Sequence, residues 1–349
     1  MKSRYRFGVI FSILCVVLFI LFVMAIGVVT SNLDAETAYK IAANKITGTE
    51  IYEPYWPLTH ETIIWEVRLP RVLLSIVCGA GLAVCGVLMQ CVTKNPIADP
   101  YVLGLASGAS TGAVFVIVLG GGAMGLASVS TGAFIGTLIC SVLVFVIGTE
   151  YGRNTSTTRL ILSGLAISTI FTALTDLIIS LAKNASQVKS ALFWTMGSLG
   201  GATWELLPIP FVILVLVIFV VLGLSKSLDL LLFGDENATM LGMNVNLMKT
   251  FIVIVASLLT SVLVSATGAI GFMGLMVPHI ARMLCGNKHV RLVPMAAVIG
   301  AIFLLCCDLF AKNAFYPKDL PIGILTSLIG GPFFLWMLMD KNYSFKSGK

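Results

Sequence analysis

Cysteine and histidine are the residue types through which this chain of 349 residues could bind a metal ion or form a covalent bond. Seven of its eight cysteines lie within or at the ends of apolar stretches, where small apolar helix positions are the preferred interpretation. Adjacent Cys306 and Cys307 point to different helix faces, and His60 is far along the chain from His279 and His289. The sequence therefore predicts neither a disulfide framework nor a site for a bare metal ion.

Motifs for covalent or hydrolytic catalysis are also missing from the sequence. It contains no G-x-x-x-x-G-K-[ST] phosphate loop, no H-E-x-x-H pair and no G-x-S-x-G nucleophile elbow. We therefore expect no ATP hydrolysis by this chain itself, no catalytic residues and no cofactor.

The composition indicates a polytopic membrane protein. Hydrophobic residues make up 58% of the chain, charged residues only 11%, and the mean hydropathy is +1.01. Each spanning helix needs about 20 mainly apolar residues, which leaves room for about ten spans between the flanking charges. The predicted spans are 7–33, 72–93, two within 100–149, 160–182, about 206–225, one full and one shorter span within 250–281, 292–307 and 320–339.

The distribution of basic residues predicts the orientation in the membrane. The first apolar stretch is too long for a signal-peptide core and has no small-residue cleavage site, so we expect a retained first helix. Alternating ten spans from a cytoplasmic N-terminus puts most Lys and Arg residues on the cytoplasmic side, as the positive-inside rule requires. Both termini are then cytoplasmic, and the net charge of +6 needs no nucleic-acid partner.

Residues Asn95 to Ala109 read N-P-I-A-D-P-Y-V-L-G-L-A-S-G-A and interrupt two apolar stretches with two prolines, an amide and an acid. A membrane helix can stop and restart only where its free backbone groups are buried in protein or line a water-filled cavity. The break therefore predicts the wall of a pathway. G-x-x-x-G series at 104–112 and 132–136 have the spacing of close helix contacts, for which packing inside the bundle is the preferred interpretation. The 104–112 series directly follows the break, so leaving room beside the pathway stays open as a second role.

Two short charged segments flank the predicted spans. Arg68 and Arg71 surround a proline before the second span, where their guanidinium groups could pair with carboxylates of a docked partner. Interfacial anchoring by snorkelling and pairing with Glu61 or Glu66 remain open as alternatives. A nine-residue amphipathic segment, 234–242, carries acidic residues at its start, where negative charge suits a helix N-terminus; from the residues alone, an ordinary loop helix is preferred.

Several segments, in the same order, resemble the permeases of iron-siderophore, haem and cobalamin ABC importers, the FecCD family. The resemblance covers nearly the whole chain, from Arg68 to Trp336. Departures are minor: Thr239 replaces a commoner Arg or Lys, and Lys312 stands where the cobalamin permease has an arginine. The matching segments are the R-L-P-R at 68–71, the turn at Asn95, the T-T-R-L at 157–160, the glycine-bounded segment 234–246, the G-x-I-x-F-x-G-L-x-x-P-H-x-x-R pattern at 268–282 and the L-P-I-G at 320–323.

The resemblance implies an all-α polytopic membrane protein of about ten transmembrane helices, with a cobalamin-permease-like type II ABC importer fold in a single domain, 1–349. It implies a permease of the bacterial cytoplasmic membrane that carries a ferric siderophore, with haem or cobalamin as alternatives. The implied partners are two ATPase subunits, a second permease subunit in a homodimer or heterodimer, a solute-binding protein and membrane lipid.

The resemblance also implies roles for particular residues, which we take as expectations. Helix capping is the alternative role for Asn95 and the two threonines. The expected inner gate is Asn95, Ile97, Thr157 and Thr158; the expected ATPase-docking residues are Gly234, Asp235, Glu236, Ala238, Leu241 and Gly242; the expected binding-protein contacts are Arg68, Arg71 and Lys312.

Two other functional classes fit the sequence less well. A secondary transporter would need a coupling site, and Asp176 is the only carboxylate that we place well inside a predicted helix, near its outer end. An intramembrane enzyme would need a catalytic constellation, which the sequence does not offer.

Overall fold

The computed structural model describes residues 2–27, 34–120, 126–148, 157–314 and 318–339, and α-helix dominates these residues. A π-helical stretch, Ile63–Arg68, and a 3-10 turn, Pro100–Leu103, join neighbouring helices. The α-helices in chain order are α1 (Lys2–Gly27), α2 (Ala35–Thr47), α3 (Leu58–Thr62), α4 (Leu69–Thr93), α5 (Leu105–Leu119), α6 (Leu126–Gly148), α7 (Thr157–Ser180), α8 (Ala185–Thr195), α9 (Pro208–Gly223), α10 (Ser225–Leu231), α11 (Asp235–Met240), α12 (Val245–Thr267), α13 (Met273–Cys285), α14 (His289–Asn313) and α15 (Ile322–Met339).

The predicted all-α polytopic fold is confirmed. Among the described residues, seven helical segments are long and apolar enough to cross a membrane, and α9 with α10 forms a further candidate span bent by 66°. Two shorter apolar helices, α5 and α13, fill the remaining predicted stretches, so each predicted span contains a helix. The parts of the predicted first and third spans at 28–33 and 121–125 lie outside the described residues.

Among the predicted span boundaries that differ from the helix ends, two have the same cause. The second span was expected to begin at 72, but continuous helix runs from Leu58 to Thr93. A later span was expected to end at 307, but α14 continues to Asn313. Counting apolar residues between charges fails here because Arg71 and Asp308 are both buried, in an ion pair with each other.

Helices that do not span also occur between the first and second spans and after α7. In α2, Ala38 and Ile41 are fully buried against Trp56 and Ile64, so its apolar face closes a small satellite core. Helix α8 begins where the Asn184 Oδ1 accepts a hydrogen bond from the backbone N–H of Gln187 at 2.9 Å, which satisfies one free donor of its first turn. The sequence analysis predicted neither helix.

Helix α4 lies at the centre of the bundle and contacts α12, α13 and α14. Every residue of α4 except Leu73, Ile76 and Thr93 is buried. Its backbone approaches two neighbours through pairs of glycines: a Cβ atom on Gly79 would collide with the Gly300 carbonyl in α14, and one on Gly86 would collide with the Gly274 backbone in α13. In lipid, the hydrophobic effect does not drive helices together. Van der Waals contacts between closely packed backbones stabilise the association instead.

The G-x-x-x-G series in α5 and α6 pack against each other. A Cβ atom on Gly108 or Gly112 would collide with the backbone of Gly136 or Gly132. The preferred interpretation from the sequence, packing inside the bundle, is therefore confirmed for these glycines.

We expect Gly86→Ala to destabilise the protein, because the new methyl group meets backbone atoms of Gly274 that cannot move aside. The cost of such overpacking is about 1–3 kcal/mol. Gly8→Ala is the matched control, since a Cβ atom there meets nothing within 4 Å. Thermal unfolding of the two purified variants in detergent measures the difference. Equal melting temperatures would contradict the close approach of α4 and α13.

Candidate functional site

Arg71, near the start of α4, is the centre of a buried charge cluster. Its Nε donates to Asp308 Oδ1 in α14 at 2.9 Å, and its Nη1 donates to Asp319 Oδ2 at 2.7 Å. Arg71 and Asp308 are buried, whereas 41% of the Asp319 side chain is exposed. The cluster joins α4, α14 and the segment that leads into α15. We call the end of the bundle that carries it the arginine end.

Arg68 lies beside this cluster and faces the interior of the chain. The π-helical stretch that ends at Arg68 turns its side chain inward, where Nη1 donates to the carbonyl oxygen of Ile26 at 3.1 Å. That carbonyl belongs to the last turn of α1, where backbone acceptors lack helical partners. The Arg68 Nε is buried and has no hydrogen-bond partner among the described residues.

The carboxylates that pair with Arg71 were missed by the sequence analysis. Glu61 and Glu66 were the partners considered, but Glu61 instead pairs with Lys45 at 2.8 Å. The expectation that Asp176 is the only carboxylate well inside a helix is also wrong, because Asp308 is buried within α14. The sequence did contain one signal for this cluster: Asp308 and Lys312 lie four residues apart at the end of an apolar stretch.

A cavity of about 910 Å³ opens beside the cluster, and Asp319 belongs to both. Its polar wall carries five hydroxyl groups, one amide and the amino group of Lys189. Apolar side chains, including those of Phe193 and Trp194 in α8, form the rest. The lining residues are Val116, Ile117, Val129, Ser130, Ser186, Gln187, Lys189, Ser190, Phe193, Trp194, Ser198, Gly200, Gly201, Leu206, Ala266, Thr267 and Asp319.

The break predicted at Asn95 lies at the other end of α4, about 37 Å away for 25 residues at 1.5 Å each. Asn95 Oδ1 accepts from the N–H of Ile97 at 3.1 Å, and Asp99 Oδ1 accepts from the N–H of Tyr101 at 2.9 Å. The Tyr101 Oη accepts from the N–H of Ile270 at 3.0 Å. The turn thus satisfies its own backbone and is fastened to the loop before α13.

The segment after Asn95 contacts α7 at Gly164, a residue outside the expected gate. Thr157 begins α7 and Thr158 is exposed, whereas the 3-10 turn after Asn95 packs against α7 at Gly164. A Cβ atom on Gly164 would collide with the carbonyl of Val102. Local turn formation by Asn95 is therefore observed, and gating by these residues stays a prediction.

The segment between two glycines of positive φ, Gly234 at 107° and Gly242 at 85°, forms the short helix α11. We call this end of the bundle the α11 end. Met240 and Leu241 are 82% and 68% exposed, which makes them available to another protein. Ala238 is fully buried, so it holds α11 against the chain and is not available for direct contact. Sequence reasoning missed Met240, although it directly precedes Leu241.

A buried polar group also fixes the last turn of α4 at this end. Gln90 is buried, its Nε2 donates to the Gly274 carbonyl at 3.0 Å, and its Oε1 accepts from Arg282. A cavity of about 350 Å³ lies beside these groups. No group of three or more His, Cys, Asp and Glu residues suited to a metal ion occurs in the part of the chain that the structure describes.

A helical membrane bundle with a cavity at one end and a broken helix at the other fits the class of membrane transport proteins. The model of the FecCD transport family matches residues 14–340, so the chain belongs to that family. Membership makes it an integral membrane permease subunit of an ABC importer, in which separate ATPase subunits hydrolyse ATP.

Relatives and solved structures agree over most of the chain. The hemin transport system permease protein HmuU of Yersinia pestis is 36% identical, covering 92% of this chain and 93% of that one. The cobalamin import system permease protein BtuC of Halobacterium salinarum is 38% identical over 82% and 75%. The Fe(3+) dicitrate permease FecD of Escherichia coli is 36% identical over 81% and 88%. An inward-facing metal-chelate type ABC transporter matches with a TM-score of 0.81 and 30% identity, over 95% and 99%.

We expect Asp308→Ala to destabilise the permease, because it leaves Arg71 buried with only the half-exposed Asp319 as partner. Removing one member of a buried ion pair costs about 3–5 kcal/mol. The double variant Arg71→Met with Asp308→Leu should recover much of that loss, since both charges of the buried pair are removed together. Thermal unfolding in detergent measures both.

The exposed carboxylate of Asp176 supplies the control, Asp176→Asn, which should leave the melting temperature unchanged. A single variant as stable as this control would show that the Arg71–Asp308 pair does not support the fold.

Proposed function

We propose that the chain is one of two permease subunits of a bacterial importer that moves a ferric siderophore across the cytoplasmic membrane. Haem and cobalamin are the alternative cargoes. Both termini are cytoplasmic in this proposal, so the arginine end faces outward and the α11 end faces the cytoplasm. The excess of basic residues on that side supports this orientation.

The cavity at the arginine end is the observation that carries the choice of cargo. Its hydroxyl, amide and amino groups suit the many oxygen atoms of a ferric chelate. Haem sites commonly supply an axial ligand from His, Cys, Met or Tyr, and none of these residue types occurs among the described residues that line this cavity. Relatives named for Fe(3+)-hydroxamate and Fe(3+) dicitrate point the same way.

Most of the groups that line the cavity are uncharged, which suits a site that must release its cargo. Conduction requires a site that admits the cargo and also releases it, and strong charge pairing would slow release. Lys189 and Asp319 are the charged groups in this wall, and Asp319 already pairs with Arg71. The cavity is therefore proposed as a transient stop for the chelate.

We place the solute-binding protein at the arginine end, where Lys312, Arg68 and Arg71 lie. Since Arg68 and Arg71 are buried and directed at groups of their own chain, their contact with the binding protein requires exchange of those partners. The exposed carboxylate of Asp319 is the partner that exchanges at least cost, because exposed ion pairs contribute only about 0–1 kcal/mol.

At the α11 end, the exposed Met240 and Leu241 are the proposed contacts with the ATPase, within the segment Gly234 to Gly242. Asn95, Ile97, Thr157 and Thr158 are the proposed inner gate. The break at Asn95 supports this assignment because broken helices are tolerated in a membrane where they line a pathway. Movement of rigid helices at such a break opens or closes a passage with small shifts.

Filling the cavity should reduce chelate uptake. We expect Ser190→Trp to lower ATP-driven uptake of a ferric hydroxamate into proteoliposomes about tenfold, equivalent to ~1.4 kcal/mol. The complete transporter with its ATPase and binding protein is used, and haem and cobalamin are tested alongside. Ser180→Trp, at an exposed position at the end of α7, is the control. ATP-driven uptake of haem or cobalamin alone would overturn the siderophore assignment.

A second prediction concerns assembly at the α11 end. Leu241→Asp should reduce copurification of the ATPase, because a charged carboxylate replaces an exposed apolar contact. Val290→Asp, a similarly exposed apolar position at the start of α14, is the control. An intact complex with normal coupled transport in Leu241→Asp would remove α11 from the docking surface.

A further inference from the structure

Asp235, the first residue of α11, faces its own chain. Its Oδ2 accepts from the Lys249 Nζ in α12 at 2.6 Å, and its Oδ1 forms an ion pair with the Lys94 Nζ at 2.8 Å. The carboxylate thus joins three segments: α11, the second turn of α12, and the residue that follows α4. A side chain in this position bridges parts of the chain and is only partly open to another subunit.

The burial of these groups makes the pairing specific. Only 6% of the Lys249 side chain is exposed, whereas 44% of Asp235 is exposed. A buried ammonium group needs an opposite charge and hydrogen bonds to offset its lost hydration. Asp235 is the acid that supplies both to Lys249. Its second oxygen is then directed to Lys94, which lies nearer to solvent.

Lys94 ends α4 in a left-handed backbone conformation. Lys94 has φ of 51°, in the left-handed region, where a residue with a Cβ atom carries strain of about 1–3 kcal/mol. Such a conformation persists when surrounding contacts determine it. Asn95 follows directly and forms the turn with Ile97. A displacement of the Lys94 side chain therefore acts on the first residue of the proposed gate.

We propose that Asp235 is a positioning residue that couples α11 to the turn at Asn95 through Lys94, so that a push on α11 moves the turn. This inference rests on the proposed function, in which the ATPase contacts α11 at Met240 and Leu241. It assigns Asp235 a role different from direct docking. Lys249 serves as the fixed point of the bridge, because it is buried in the bundle.

The charge state of Asp235 suits this role. Burial by itself would raise the pKa of Asp235, but the hydrogen bond from Lys249 and the ion pair with Lys94 hold the pKa below its ordinary value. The carboxylate is therefore ionised at neutral pH. Packing contributes separately, because the buried Ala238 holds α11 against the chain.

The first measurement is the amount of chelate transported per ATP hydrolysed by the complete transporter in proteoliposomes. Asp235→Asn should retain the ATPase, because Met240 and Leu241 are unchanged, but transport per ATP should fall roughly threefold or more. Lys94→Met should give a similar loss, and the double variant no further loss, as expected for two residues that act through one contact. Asp235→Glu, which keeps the charge, should recover part of the coupling.

Lys226→Met is the matched control, because Lys226 is an exposed lysine in α10 at the same end of the bundle. Normal coupling in Asp235→Asn, or additive losses in the double variant, would overturn the proposal. Loss of ATPase copurification in Asp235→Asn would assign the residue to docking or folding and overturn it equally.

A second measurement does not depend on the cargo or on the ATPase. Spin labels at positions 97 and 240, after replacement of the native cysteines, report the distance between the turn and α11 in the purified permease. The distance distribution should be narrow with Asp235 and broader in Asp235→Asn. An unchanged distribution would refute the bridge even where transport works as proposed. If the unsubstituted permease binds no ATPase at α11, only the proposed function is refuted, and a broader distribution in Asp235→Asn still supports the bridge.

Discussion

The close approach of α4 to its neighbours is the constraint on which the rest of the structure depends. Glycine pairs Gly79 with Gly300 and Gly86 with Gly274 bring backbones into contact, and a methyl group at these positions has no space. In lipid, apolar side chains gain little by turning from lipid to protein, so packing and polar contacts must hold the helices together. The glycines create the short distances at which those contacts become strong.

Polar groups then fix both ends of the same helix. At the arginine end, Arg71 pairs with Asp308 in α14; at the α11 end, Gln90 donates to the carbonyl of Gly274 in α13. These buried groups are costly unless partners satisfy them, so each one selects a single register between α4 and its neighbours. Because Lys94 directly follows α4, one well-fixed helix separates the charge cluster from the turn at Asn95.

The sequence predicted the helices well and the directions of their charged side chains poorly. Each predicted apolar stretch contains a helix. Arg71 and Asp308, however, lie 237 residues apart, and no local pattern indicates that they meet. The resemblance to known permeases located α11. A sequence motif, however, does not show that Asp235 and Ala238 face their own chain whereas Leu241 is exposed. Partners distant in sequence decide those directions, and only the packed bundle reveals them.

The two partners of Arg71 differ in energetic character, and this difference connects the charge cluster with the cavity. The pair with Asp308 is buried, so breaking it leaves an uncompensated charge in the bundle, which costs several kcal/mol. The pair with Asp319 is half-exposed, and pairs of that kind contribute about 0–1 kcal/mol. Asp319 also lines the cavity and precedes α15. Arg71 therefore holds α14 firmly and the segment before α15 weakly, which leaves that segment, with Asp319 in the cavity wall, the freer of the two.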